Sequence, residues 1–162
     1  EIVITYNPSV MANPTQLVAT LAHELAHYLT ATSPEEPPGG WDNWEFATDI
    51  AATFLGFGIF MANSAFNFRQ FTEVDSQGWE YDRNGYLTEE EHVYALAIFL
   101  LLKGISPEAA SNYLKPNLRK LLKKSIKELT ISETINELLS VEYVAPTDGT
   151  SGQEEVSKEL SV

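Results

Sequence analysis

The chain has no cysteine, which excludes a disulfide framework, a thiol nucleophile and every cysteine-based zinc finger. Basic residues are scarce as well. Ten Lys and Arg stand against 23 Asp and Glu, leaving a formal charge of −13 at pH 7. Nucleic-acid binding depends on cationic side chains that displace counterions from the phosphate backbone, so no nucleic-acid partner is expected. Histidine is rarer still, with three in 162 residues. Any metal must therefore be held by a few imidazoles and by carboxylates.

What is present is enough to build a core. With 44% hydrophobic residues the chain can bury a single domain without covalent staples. That domain is expected over 1–144. From Ala145 onward Pro, Thr, Gly, Ser and Glu dominate, and 145–162 reads as a flexible tail. The stretch from Ile50 to Phe68 carries no charge and approaches the roughly 20 residues that a membrane span needs. Gly56, Gly58, Asn63, Ser64 and Asn67 dilute it, and Glu45 and Asp49 lie on the same helix just before it. A buried core helix is expected there, with no membrane span.

The patterning is mainly α. Ile2, Val3, Ile4 and Tyr6 form a short β-prone run that stops at Asn7-Pro8, the composition of one strand and a turn. From Pro14 or Thr15 to about Thr30, apolar residues recur at helical spacing behind Asn13 or Thr15 as cap. Thr32 to Gly40 holds three prolines and two glycines and reads as a loop. A second helix runs from Asp42 or Asn43 to about Phe66, with a bend expected at Gly56 and Gly58. Asn84-Gly85 between Trp79–Tyr81 and Tyr86–Leu87 predicts a small hairpin. Thr88 and Glu91 form a capping box for a helix through Leu102. Shorter helices follow from Pro107, from Pro116 to about Leu129, and from Ser132 to Leu139.

The segment Thr20 to Leu29 contains His23-Glu24-Leu25-Ala26-His27 with uncharged flanks and no proline. At ~100° per residue the two histidines lie about 40° apart on one helical face, where both can bind one ion. Glu24 sits beside them and can reach a metal-bound water as general base. A catalytic zinc site needs a third protein ligand and an open fourth position. His92 is far away on another helix, whereas Glu45 follows His27 by eighteen residues and Asp49 lies one helical turn further on. Either carboxylate fits as the third ligand. Asp42 and Glu45 also have the spacing of a capping box.

His23-Glu24-x-x-His27 followed by Glu45-x-x-x-Asp49 resembles the gluzincin, or thermolysin-like, zinc metallopeptidases, over about a quarter of the chain. The resemblance implies a zincin-like helical core with Zn2+ held by His23, His27 and Glu45. It also implies that Asp49 orients a ligand histidine and that Glu24 is the catalytic base for hydrolysis of a peptide or protein substrate. The His or Tyr that would stabilise the transition state is not identified, His92, Tyr86 and Tyr94 being candidates. The competing reading is a zinc-binding or interaction domain that retains the helix without catalysis.

Two further patterns have ordinary explanations. Glu80-x-Asp82-x-Asn84-Gly85 with Glu91 approaches calcium-loop spacing, but the hairpin and capping box account for the same residues. Lys115, Arg119, Lys120, Lys123, Lys124 and Lys127 hold six of the ten basic residues and alternate with leucines. A core-packed helix with a solvated outer face is expected.

Overall fold

Asn13 stops a short 3-10 turn, Pro8–Ala12, and its side chain accepts a hydrogen bond from the Gln16 amide at 3.3 Å. That cap, followed by proline at the first helical position, starts α1 (Pro14–Thr30). The structure is a computed structural model that describes residues 8–65 and 87–142.

The buried face of α1 is not the one its large apolar residues mark. Ala19, Ala22, His23, Ala26 and His27 are buried, while Leu25, Tyr28 and Leu29 are exposed. Alanines at this face let the next helix approach closely, and that proximity brings short carboxylate side chains within reach of the histidines.

The next helix begins after a 3-10 turn, Trp41–Asn43, as α2 (Trp44–Ala52). Asn43 does not cap it; its side-chain amide donates instead to the Pro38 carbonyl at 2.9 Å and pins the proline-rich loop. The Asp42–Glu45 capping box does not form either, because Glu45 turns toward α1. A π-turn over Thr53–Phe57 follows, with Gly56 at φ 101°. The bend therefore falls at one of the two glycines anticipated, at a backbone angle that residues with a Cβ adopt reluctantly. The chain then continues as α3 (58–65). Gly58 is needed for a different reason: a Cβ there would lie 2.8 Å from Thr53 Cγ2 and 3.0 Å from Leu96 Cδ1.

Thr88 and Glu91 make the predicted capping box, and α4 (Glu89–Leu102) follows. Glu91 is thereby committed to the Thr88 amide at 2.8 Å. Three helices complete the described chain: α5 (Pro107–Ser111), α6 (Pro116–Ile131) and α7 (Thr134–Leu139). Val93, Leu96, Ala97 and Leu100 of α4 pack with Leu118, Leu122 and Leu129 of α6 into the larger core. The six basic residues around α6 are exposed, so this helix is core-packed with a solvated outer face.

A smaller core joins Ala19, Ala22 and Ala26 to Ala52 and Met61. The stretch Trp41–Ala65 is long and apolar enough to cross a membrane, and 39% of its most apolar window is buried inside the protein. The chain is mostly helical, with no strand among the described residues. The strand expected at Ile2 to Tyr6, the hairpin expected over 79–87 (except Leu87, which is not in a strand) and the tail expected over 145–162 lie outside the described residues.

Candidate metal centre

Helix α2 presents Glu45, Thr48 and Asp49 on one face, the i, i+3, i+4 positions, toward His23 and His27 of α1. Glu45 Oε2 lies 3.3 Å from His23 Nε2 and 3.3 Å from His27 Nε2. Ligands at tetrahedral positions about 2.0–2.1 Å from zinc stand about 3.4 Å from one another. One ligand atom from each of His23, His27 and Glu45 lies within 4.8 Å of the others, so the trio can hold a single ion. Glu45 Oε2 is buried and has no hydrogen-bond partner among the described residues. Three ligand atoms this close together form an arrangement that can suit a cation.

Behind each imidazole stands a second polar group. His23 Nδ1 is 2.9 Å from Asp49 Oδ1, on the side of the ring away from Glu45. His27 Nδ1 is 3.4 Å from Thr48 Oγ1, and that hydroxyl donates to the Trp44 carbonyl at 2.9 Å. A donor N–H at Nδ1 leaves Nε2 as the lone-pair nitrogen, the form that binds metal. Trp44 closes the other flank. Its Nε1 donates to Thr30 Oγ1 at 2.9 Å, and its ring meets the His27 ring edge-on at 5.4 Å between centroids.

The ionisable groups of the site act on one another. Burial acts to lower the pKa of His23, but its contacts with Asp49 and Glu45 prevail and raise it to about 9. Burial likewise acts to raise that of Glu45, and the two histidines override it, bringing it to about 2.

The structure thus brings His23, His27 and Glu45 together and sets Asp49 outside the trio, against the far nitrogen of His23. Glu24 follows His23 on the same turn and is half-buried. No hydrogen bond or ion pair among the described residues engages its carboxylate. The candidates for transition-state stabilisation are not gathered here. His92 is buried behind Asp49, with Nε2 at 3.5 Å from Asp49 Oδ2. Tyr94 lines a separate cleft of about 430 Å³ between α2, α4 and α6, and Tyr86 lies outside the described residues. That cleft has Ile50, Ile98 and Leu121 among its walls and none of His23, His27 and Glu45.

Sequence reasoning missed Thr48, Trp44 and the Leu87 amide, which donates to Asp49 Oδ2 at 2.9 Å. Thr48 had a legible signal, since it shares a helical face with Glu45 and Asp49. The Leu87 contact had none. Comparison with profiles of known protein families, with curated proteins and with solved structures yields no match.

Proposed function

We propose that the protein is a zinc-dependent hydrolase of peptide bonds with a zincin-like helical core, holding one Zn2+ through His23 Nε2, His27 Nε2 and Glu45 Oε2. The two 3.3 Å distances from the buried Glu45 Oε2 to the imidazole nitrogens, close to the spacing of tetrahedral ligands, with all three ligand atoms within 4.8 Å, carry the reading. Two imidazoles and a carboxylate form a donor set that suits zinc. Bound zinc supplies a lowered pKa for water and a polarised substrate carbonyl.

The remaining work falls to the chain itself. Asp49 fixes the ring of His23, and Thr48 engages Nδ1 of His27. Glu24, uncommitted to any described partner, accepts the proton of the attacking water and delivers it to the leaving amine. We read Trp41–Ala65 as a core helix rather than a span, because its Asp49 and Thr48 are buried against α1 and its Ala52, Met61, Ala62 and Ala65 are buried as well.

A second reading has an observation of its own. His92 and Tyr94 both sit away from the three ligand atoms, which favours a zinc-stabilised module without catalysis. Metal analysis of wild type and variants, together with a peptide-library digest, separates the two. One zinc per chain, lost in Glu45→Ala and kept in Glu24→Gln, establishes the centre. Cleavage that vanishes in Glu24→Gln establishes the hydrolase, whereas bound zinc with no cleavage of any peptide leaves the structural module.

A further inference from the structure

Asp49 is 1% exposed, and both its oxygens are committed. Oδ1 faces His23 Nδ1 at 2.9 Å, and Oδ2 accepts the Leu87 N–H at 2.9 Å. Among the described residues Oδ2 also has His92 Nε2 near it at 3.5 Å, a polar contact longer than a hydrogen bond, reaching in from α4. A carboxylate removed from water needs polar neighbours to offset its lost hydration.

His92 is itself 2% exposed, and its Nδ1 has no hydrogen-bond partner among the described residues. An apolar side chain of similar volume would fill that space without leaving a buried ring nitrogen unsatisfied. Among the described residues, Asp49 is the carboxylate its Nε2 faces. The line His92, Asp49, His23 joins α4, which carries none of His23, His27 and Glu45, to a ring of the site.

We propose that His92 is a positioning residue for the metal centre, holding Asp49 from the α4 side so that Asp49 can hold His23. The inference rests on the reading of His23, His27 and Glu45 as a metal centre. His92 touches neither ion nor substrate in this arrangement; it acts through Asp49.

The test is zinc affinity by chelator competition for wild type, His92→Phe, His92→Gln, Asp49→Ala and the Asp49→Ala/His92→Phe double variant. The metal-free melting temperature of each and the visible spectrum of each Co2+ form are recorded alongside. Loss of the imidazole beside Asp49 in His92→Phe is expected to weaken zinc binding about tenfold, the lower end of the loss caused by removing a group that holds a metal ligand in place. His92→Gln, whose amide N–H can stand near the place of Nε2, is expected to recover most of that loss. In the Asp49→Ala background His92→Phe should change affinity no further, which a general packing defect would not reproduce. Should His92→Phe not fold, His92→Met fills the space flexibly and also lacks a donor.

Unchanged affinity in the donor-less variants, or an equal loss with and without Asp49, overturns the role of His92. Wild-type protein that takes up no zinc overturns the metal centre itself, a result distinguishable from the other two.

Discussion

Asp49 Oδ1 and His23 Nδ1 meet at 2.9 Å in the interior, on the side of the imidazole opposite the one that faces Glu45. The ring is therefore clamped between two carboxylates from one helical turn of α2, and only Glu45 shares the space in front of His27.

That clamp separates the two assignments open at the level of sequence. With Asp49 as an orienting group, Asp49→Asn should weaken zinc binding by about 10–100-fold while leaving one ion per chain at saturation. Chelator competition and metal analysis read both quantities. Outright loss of zinc in Asp49→Asn, with Glu45→Ala still loaded, would make Asp49 the ligand instead.

The same contacts set how the metal-free protein responds to pH. His23 has its folded pKa raised from 6.5 to about 9, so its contribution to stability is fully present below 6.5 and is lost as pH rises through about 9. Glu45 is the reverse case, lowered from 4.5 to about 2, so its contribution is present above 4.5 and is lost as pH falls through about 2. Urea midpoints of chelator-treated protein should decline from pH 6.5 toward 9, and the decline should shrink in Glu45→Gln. A midpoint that does not move across that interval would contradict the coupling.

How much of this was readable in advance depends on how local each signal is. Asn13, the Thr88–Glu91 box and the pair His23 and His27 are contacts within a helical turn, and the sequence displays them directly. Glu45 and Asp49 were legible because carboxylates in an apolar helix need a reason to be there. The packed face of α1 was not, since Leu25, Tyr28 and Leu29 advertise one side while Ala19, Ala22 and Ala26 bury the other. Side-chain size does not reveal that a close helix approach requires alanine. The approach of Leu87 and His92 to Asp49 spans 38 and 43 positions, and no periodicity carries information across such a separation.

Trp44 supplies a last test, because its two contacts differ in kind. Its Nε1–H bridges to Thr30 Oγ1 at 2.9 Å, tying the start of α2 to the end of α1, while its ring braces His27 at a centroid distance of 5.4 Å. Trp44→Phe keeps an aromatic ring and removes the donor, so it should cost about 0.5–1.5 kcal/mol of stability, the ordinary worth of one hydrogen bond. Zinc affinity should change little. Trp44→Ala removes the brace as well, leaves His27 free to turn about its long 3.4 Å contact with Thr48, and should lower both stability and zinc affinity. Denaturant melts and chelator competition on the two variants distinguish these effects. An affinity that falls equally in Trp44→Phe and Trp44→Ala would show that the hydrogen bond between the helices, rather than the ring against His27, keeps the site in shape.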